Sequence, residues 1–134
     1  MSENDQDYAG TEYEFLGGSS GIHALVTEFY RQMDTLPETK PIRDMHPKDL
    51  TESIEKLYEF LSGWLGGPPL YIEKRGHPRL RMRHFPFKIG VAESEQWLLC
   101  MERALDVQNV PTAKRQLLLD AFRKVATHMI NQDV

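Results

Sequence analysis

The sequence predicts an all-α protein. Apolar residues recur at helical spacing in four long stretches, and no stretch alternates between apolar and polar residues as a half-buried strand would. The connections between these stretches are rich in proline and glycine, which end helices. Amphipathic helices bury their apolar faces against one another, so we expect the four helices to form one helical domain.

Start and stop signals set the bounds of the predicted helices. A capping-box spacing begins the second helix, with Asp49 as the cap and Glu52 three residues later. The predicted elements are, in order, a helix from the turn at 17–20 to Pro37, an irregular or short-turn stretch, a helix from Asp49 to the Gly-Gly-Pro-Pro run at 66–69, an irregular stretch through Tyr71, a short helix at 78–85, a helix from about 92 to 109, and a helix from Pro111.

Length and charge limit the class of protein. A chain of 134 residues is long enough for one domain with one core, which we place at 15–134 after a mobile, acidic tail at 1–14. Hydrophobic residues make up 40% and charged residues 27%, as in ordinary globular proteins. The net charge of −4 gives no footprint for nucleic acid or an anionic membrane, so neither is predicted as a partner.

The single cysteine, Cys100, excludes a disulfide within the chain and is interpreted as a small buried apolar residue. Residues 1–13 have neither the basic start nor the apolar centre of a secretory signal. No apolar run has the length of a membrane span. These features predict a cytoplasmic protein.

The basic segment 74–88 is the feature that points to chemistry. Pro78 can open a helix and Pro86 ends it, which leaves about two turns with Leu80 and His84 on one face. A helix this short needs a partner against that face. An imidazole beside arginines and apolar residues would suit haem, a flat apolar ligand with a metal centre and acidic edges. The ordinary alternative is a structural histidine among solvent-facing arginines.

A resemblance favours the haem interpretation. The run from Gly76 to Phe87, with His84 near its end, resembles the proximal segment of the group II truncated haemoglobins. Further matching blocks follow the family's order at Phe29-Tyr30, at 66–68 and at 97–101, and the likeness covers about residues 15–131. It implies a truncated globin fold, a two-over-two helical sandwich in which an extended loop replaces most of the helix before the proximal histidine.

The resemblance also implies a cofactor and its ligands. His84 would be the proximal ligand of one non-covalent haem b, because the chain has no Cys-x-x-Cys-His attachment motif. The cationic and polar candidates for the haem propionates are Arg83 first, then Lys56 and Tyr71. The predicted apolar walls, which in the alternative are ordinary core, are Leu57, Phe60, Leu61, Leu80, Phe87, Ile89 and Met101.

On the distal side, the family match places Tyr30 and Trp97 over the iron as hydrogen-bond donors to a ligand. Ser53 takes the distal helix position that holds histidine in ordinary globins. The chain departs from the family at His46-Pro47, where relatives have Tyr or Phe before the proline. We expect His46 to bond the ligand or its water, with occasional coordination of the iron. The alternatives are a surface histidine at 46 and Tyr30 as a ferric phenolate ligand.

Two classes of function follow. The first is a haem protein that binds O₂ tightly, also takes CO or NO, and works in redox chemistry, with a reductase as a partner. Oxidation of nitric oxide and handling of peroxide are candidate activities, and no residue is assigned as catalytic. The second is a haem-free helical interaction module with His84 as a core residue.

Overall fold

The computed structural model describes residues 8–84 and 86–131, and the regular structure in these ranges is helical. The α-helices are α1 Glu12–Phe15, α2 Gly18–Thr35, α3 Lys40–Asp44, α4 Thr51–Trp64, α5 Leu70–Arg75, α6 Leu80–His84, α7 Val91–Val107 and α8 Thr112–His128, with a 3₁₀ turn at Pro37–Thr39. The all-α prediction is confirmed, and the long helices α2, α4, α7 and α8 are the four predicted from periodicity. Residues 1–7 of the predicted tail lie outside the described residues.

Two short helices differ from the sequence predictions. Helix α5 forms where an irregular stretch was expected, beginning after Pro69 and ending at Gly76, whose φ of 84° favours glycine. Helix α6 is shorter than predicted. Arg79 has a φ of 46°, so Pro78 does not open the helix, which begins at Leu80.

The chain divides into two compact units. Unit 1 contains the described residues of Met1–Thr27 and Thr51–Pro78, and unit 2 those of Glu28–Leu50 and Arg79–Val134. The single domain at 15–134 stays a prediction.

In unit 1, the chain reversal after α4 brings α5 back against α4. Ser62 donates from its hydroxyl to the Pro68 carbonyl at 2.7 Å, which satisfies a buried polar group in the turn. The backbone N–H of Tyr13 donates to the Leu65 carbonyl at 2.9 Å and ties α1 to the end of α4. A Cβ at Gly67 would overlap the Tyr13 ring, so the close approach requires glycine.

In unit 2, α7 and α8 pack against each other, and the 3₁₀ turn packs on α7. Thr39 is fully buried and donates its hydroxyl to the carbonyls of Met33 and Leu36 at 2.9 and 3.0 Å, so its burial leaves no unmet donor. The unit's most deeply buried apolar side chains are Phe29, Met33, Cys100, Met101, Ala104, Leu105 and Phe122. This core positions the candidate site residues of the unit.

Candidate functional site

His84 is the last residue of α6, and its ring is fixed by its own helix. Nδ1 lies 2.6 Å from the Leu80 carbonyl oxygen. A carbonyl only accepts, so Nδ1 carries a proton, and the neutral ring in this tautomer has its lone pair on Nε2. A half-buried imidazole with Nδ1–H on a carbonyl and Nε2 available is what a haem iron requires of an axial histidine. The residue fits the predicted cofactor.

His46 lies two residues beyond the five-residue helix α3 and is held in the same way. Its Nδ1 donates to the Ile42 carbonyl at 2.8 Å, and the ring is half-buried. Burial lowers the pKa of His46, the nearby charges of Arg43 and His84 add to that effect, and the Ile42 hydrogen bond opposes it. His46 is therefore neutral near pH 7, and its Nε2 can accept a hydrogen bond but cannot donate one.

Tyr30 lies on α2 beside His46. The two rings meet edge to face, with centroids 5.6 Å apart, and Tyr30 is only 7% exposed. Burial raises the pKa of the Tyr30 phenol, and the nearby Cys100 raises it further. The hydroxyl thus stays protonated and able to donate, which weighs against the phenolate alternative.

Trp97 lies on α7 among aromatic side chains of unit 2. Its ring centroid is 5.1 Å from that of Phe29 and 5.8 Å from that of Phe122. The ring centroid of Phe29 is also 5.0 Å from that of Tyr30, so one aromatic cluster connects both predicted donors. The indole is half-buried. The packing fixes the ring plane, as a directed donor needs.

Cys100, one turn after Trp97, is fully buried, and burial raises the pKa of its thiol to about 11. A neutral, inaccessible thiol is chemically inert.

The wall candidates of unit 2 differ in burial. Leu80 is half-buried, Phe87 is 39% exposed and Ile89 is 8% exposed, all near His84 in the chain. Met101 is completely buried, which favours a place in the core over a place in a cofactor wall. Arg83 is exposed.

The remaining candidates belong to unit 1. Ser53, Leu57 and Phe60 are half-buried on α4, and Leu61 is buried. Phe60 lies between Trp64 and Tyr71, with ring centroids 6.4 and 6.5 Å away. The exposed Lys56 pairs with Glu52 at 3.1 Å, and the buried Tyr71 ring carries the Arg75 guanidinium over its face.

Sequence reasoning missed two polar residues. Glu59 on α4 is 3% exposed and accepts from Arg75 at 2.6 Å and from Lys74 at 3.2 Å. Burial alone would raise the pKa of Glu59, but the two cations outweigh it and lower that pKa. Asn131 bonds the loop after His84. Neither residue carried a usable signal, because the sequence places Glu59 opposite the apolar stripe of α4 and only the structure shows its burial.

No group of three or more His, Cys, Asp or Glu side chains within the described ranges could hold a metal ion, so a lone histidine such as His84 fits a haem iron rather than a side-chain metal cage. A surface groove of about 850 Å³ in unit 1 is lined by residues such as Tyr8, His23 and Tyr58. It contains none of the predicted site residues.

The family model of the bacterial-like globins matches residues 11–131. The chain belongs to that family. Within it, this globin is a group II truncated haemoglobin. A group 2 truncated haemoglobin of Bacillus subtilis is 42% identical over 120 residues, which cover 90% of this chain and 88% of that protein.

Two solved structures show the same fold. The cold-adapted truncated haemoglobin of Pseudoalteromonas haloplanktis TAC125 matches with a TM-score of 0.88 and 46% identity, over 91% of this globin and 98% of that chain. The oxygen-avid truncated haemoglobin of Bacillus subtilis matches with a TM-score of 0.81 and 40% identity, over 91% of this globin and 100% of that chain. The predicted two-over-two globin fold is confirmed.

Family membership also confirms the predicted cofactor. This globin binds haem b non-covalently, and through it small diatomic ligands such as O₂. The haem-free interaction module is disfavoured accordingly. No helix among residues 8–84 and 86–131 is long and apolar enough to span a membrane.

Proposed function

We propose that this globin holds haem through His84 and binds O₂ tightly in a polar distal pocket for redox chemistry. The observation that carries the proposal is the hydrogen bond from His84 Nδ1 to the Leu80 carbonyl, which leaves Nε2 for the iron. When bound, haem would supply an iron that takes a diatomic ligand, with His84 as the residue that holds it. Leu80, Phe87 and Ile89 are apolar neighbours in sequence suited to the macrocycle, and Arg83 supplies a cation for a propionate.

On the distal side, Tyr30 and Trp97 would donate to the ligand. Burial keeps the Tyr30 phenol protonated, and the indole N–H of Trp97 can only donate. His46, neutral with Nδ1–H on Ile42, would accept from a water or hydroxyl at Nε2. This replaces the expected donation by His46 at neutral pH. Direct coordination of the iron through the same Nε2 stays a prediction.

Donors aimed at a partly charged ligand slow its escape, so tight binding suits redox work better than oxygen transport. The oxygen-avid relative from Bacillus subtilis supports tight binding. Oxidation of nitric oxide and turnover of peroxide are the activities that such a pocket would support. The site residues do not distinguish these two activities, because the same hydrogen-bond donors would serve both. We also propose a cytoplasmic location, supported by the single, buried thiol.

A redox role needs a reductant, and we propose an acidic electron-transfer protein. Arg79, Arg83 and Lys88 are exposed cations next to the exposed apolar side chains of Met82 and Phe87, and no acid occurs between residues 74 and 88. Such a surface attracts an acidic partner. Lys88→Glu should slow reduction by an acidic ferredoxin, whereas the matched change Lys124→Glu on α8 should not.

Absorption spectra of the ferric, ferrous and CO-bound forms test the haem proposal directly. The expected result is a strong Soret band that shifts on reduction and again with CO. A protein that remains colourless after haem supplementation would instead support the helical interaction module.

A further inference from the structure

The helix that carries His84 cannot hold itself in place. Helix α6 has five residues, about one turn, and a turn of this length is unstable in isolation. The bond from Nδ1 to Leu80 fixes the ring relative to α6, but it does not fix α6 relative to the rest of unit 2. The direction of Nε2 therefore depends on what holds the end of the helix.

One side chain holds that end. The Asn131 Nδ2 group donates to the Phe87 carbonyl at 2.8 Å and to the His84 carbonyl at 3.2 Å. Its Oδ1 accepts from the Ile89 N–H at 2.9 Å, and its own backbone N–H donates to the Ile89 carbonyl at 2.8 Å. Asn131 thus bonds the last residue of α6 and two residues of the loop that follows it.

These bonds meet a specific need. Carbonyls at a helix end have no partner within the helix, and Pro86 in the following loop has no N–H to offer. The His84 carbonyl accepts from the Phe87 N–H at 3.0 Å and shares its second lone pair with Asn131, and the Phe87 carbonyl accepts from Asn131 as well. The loop presents two carbonyls and one N–H to the same point. Only a primary amide supplies two donors and an acceptor together, so asparagine matches the loop and aspartate does not.

We propose that Asn131 is a positioning residue for the proximal histidine: it fixes the end of α6 and with it the direction of His84 toward the iron. The inference rests on the proposed role of His84. Because Asn131 acts through the end of α6, we expect substitutions at residue 131 to change how His84 holds the haem iron.

Asn131→Asp is the sharpest variant, because it keeps the acceptor for Ile89 but replaces both donors with an oxygen that faces two carbonyls. Loss of two ordinary hydrogen bonds corresponds to about a tenfold change in an equilibrium or rate. We expect haem transfer from the ferric holoprotein to excess apomyoglobin to speed up about tenfold. We also expect the iron–histidine stretching band of the ferrous protein to shift or broaden in resonance Raman spectra.

Three companions make the test decisive. Asn131→Gln keeps the amide and should restore part of the native haem-transfer rate and Raman band. If Asn131→Asp does not fold, Asn131→Ser, which keeps one donor, takes its place. Gln116→Glu makes the same amide-to-acid change on the exposed face of α8 and should leave both readouts unchanged.

A lower unfolding temperature for Asn131→Asp with the native Raman band and haem-transfer rate would overturn the inference, because it would show a purely structural role. His84→Ala, measured in parallel, separates the two proposals. If it retains the iron–histidine band, the proposed role of His84 fails. If it loses the band while Asn131→Asp keeps it, only the inference about Asn131 fails.

Discussion

His46 and His84 are held by the same local device in different surroundings. Each histidine follows or ends a five-residue helix, and each donates from Nδ1 to the carbonyl four residues earlier. Each therefore presents Nε2 as the free ring nitrogen. His46 lies against the buried Tyr30 ring, whereas His84 lies in the basic segment 74–88, and its helix end is held by Asn131.

Both rings have the tautomer that an axial ligand needs, so tautomer alone does not distinguish the two histidines as metal ligands. The His46 ring lies against the buried phenol of Tyr30, which we propose as a donor to the ligand, so His46 belongs beside the distal donors. His84 lies on a separate short helix, α6, in the basic segment 74–88. We therefore propose His84 as the iron ligand and His46 as part of the distal hydrogen-bond network.

Among the variants that keep haem, the largest effect on ligand kinetics is expected at the distal donor Trp97. A hydrogen bond to a partly charged acceptor contributes roughly 1.5–3 kcal/mol, so Trp97→Phe should raise the O₂ dissociation rate by about one to two orders of magnitude. CO, which carries less charge, should respond less. Stopped-flow or flash-photolysis kinetics for both ligands provide the check.

The chain's other tryptophan supplies the control. Trp64→Phe also removes an indole, but in unit 1, and should leave the ratio of O₂ to CO rates unchanged. If Trp97→Phe speeds the dissociation of O₂ and CO equally, the indole acts by its bulk. If the O₂ dissociation rate is unchanged, Trp97 does not contact the bound ligand.

A smaller, pH-dependent effect should distinguish His46 from His84. The pKa of His46 is lowered in the folded protein, so the ring gains its proton below the ordinary value near 6.5. At pH values between the lowered pKa of His46 in the folded protein and the ordinary pKa, the unfolded chain binds more protons than the folded chain does. The free energy of unfolding therefore falls as the pH drops through this range. Protonation also turns Nε2 from an acceptor into a donor, which should slow O₂ dissociation in acid.

His46→Leu should remove this acid dependence while the haem content stays native. The measurements are O₂ dissociation and the ferric spin state between about pH 5 and 7.5, a range that brackets the free histidine value. If the variant keeps the same pH profile, His46 does not act at the distal site. Tyr30 would then be the next residue to test as the source of the pH dependence.

The smallest effect is expected at Arg83. An exposed guanidinium pairs with a propionate only weakly, because solvent screens the charges. Arg83→Ala should speed haem loss by less than His84→Ala does. The exposed Arg123, which pairs with Glu95 on the surface of unit 2, is the matched control. A loss of haem from Arg83→Ala as severe as that from His84→Ala would contradict a weak, solvent-screened pairing of Arg83 with a propionate.

Much of the fold was readable from the chain because long apolar stripes dominate it. Helices α2, α4, α7 and α8 have such stripes and were predicted close to their observed bounds. Helix α5 was missed, since six residues are too few to show a period and the prolines before it indicate a loop. The positive φ of Arg79, which shortened α6, has no sequence signature, because arginine is not a residue type enriched at positive φ.

The site was predictable only in part. Residue type and resemblance indicated His84, Tyr30 and Trp97, but not the carbonyl partners that fix the two histidines. The low pKa of His46 comes from burial beside distant parts of the chain, and the Asn131 bonds join residues more than 40 positions apart. Such long-range contacts leave no local pattern in a sequence.

We propose that His84, and not its counterpart His46, holds the iron. The ferrous spectrum of His84→Ala, recorded with and without added imidazole beside His46→Leu and the exposed His77→Ala, tests this assignment. We expect His84→Ala to lose haem or to bind it weakly, imidazole to restore the proximal spectrum, and the other two variants to keep native haem. Native haem affinity and spectra in His84→Ala would mean that another residue holds the iron.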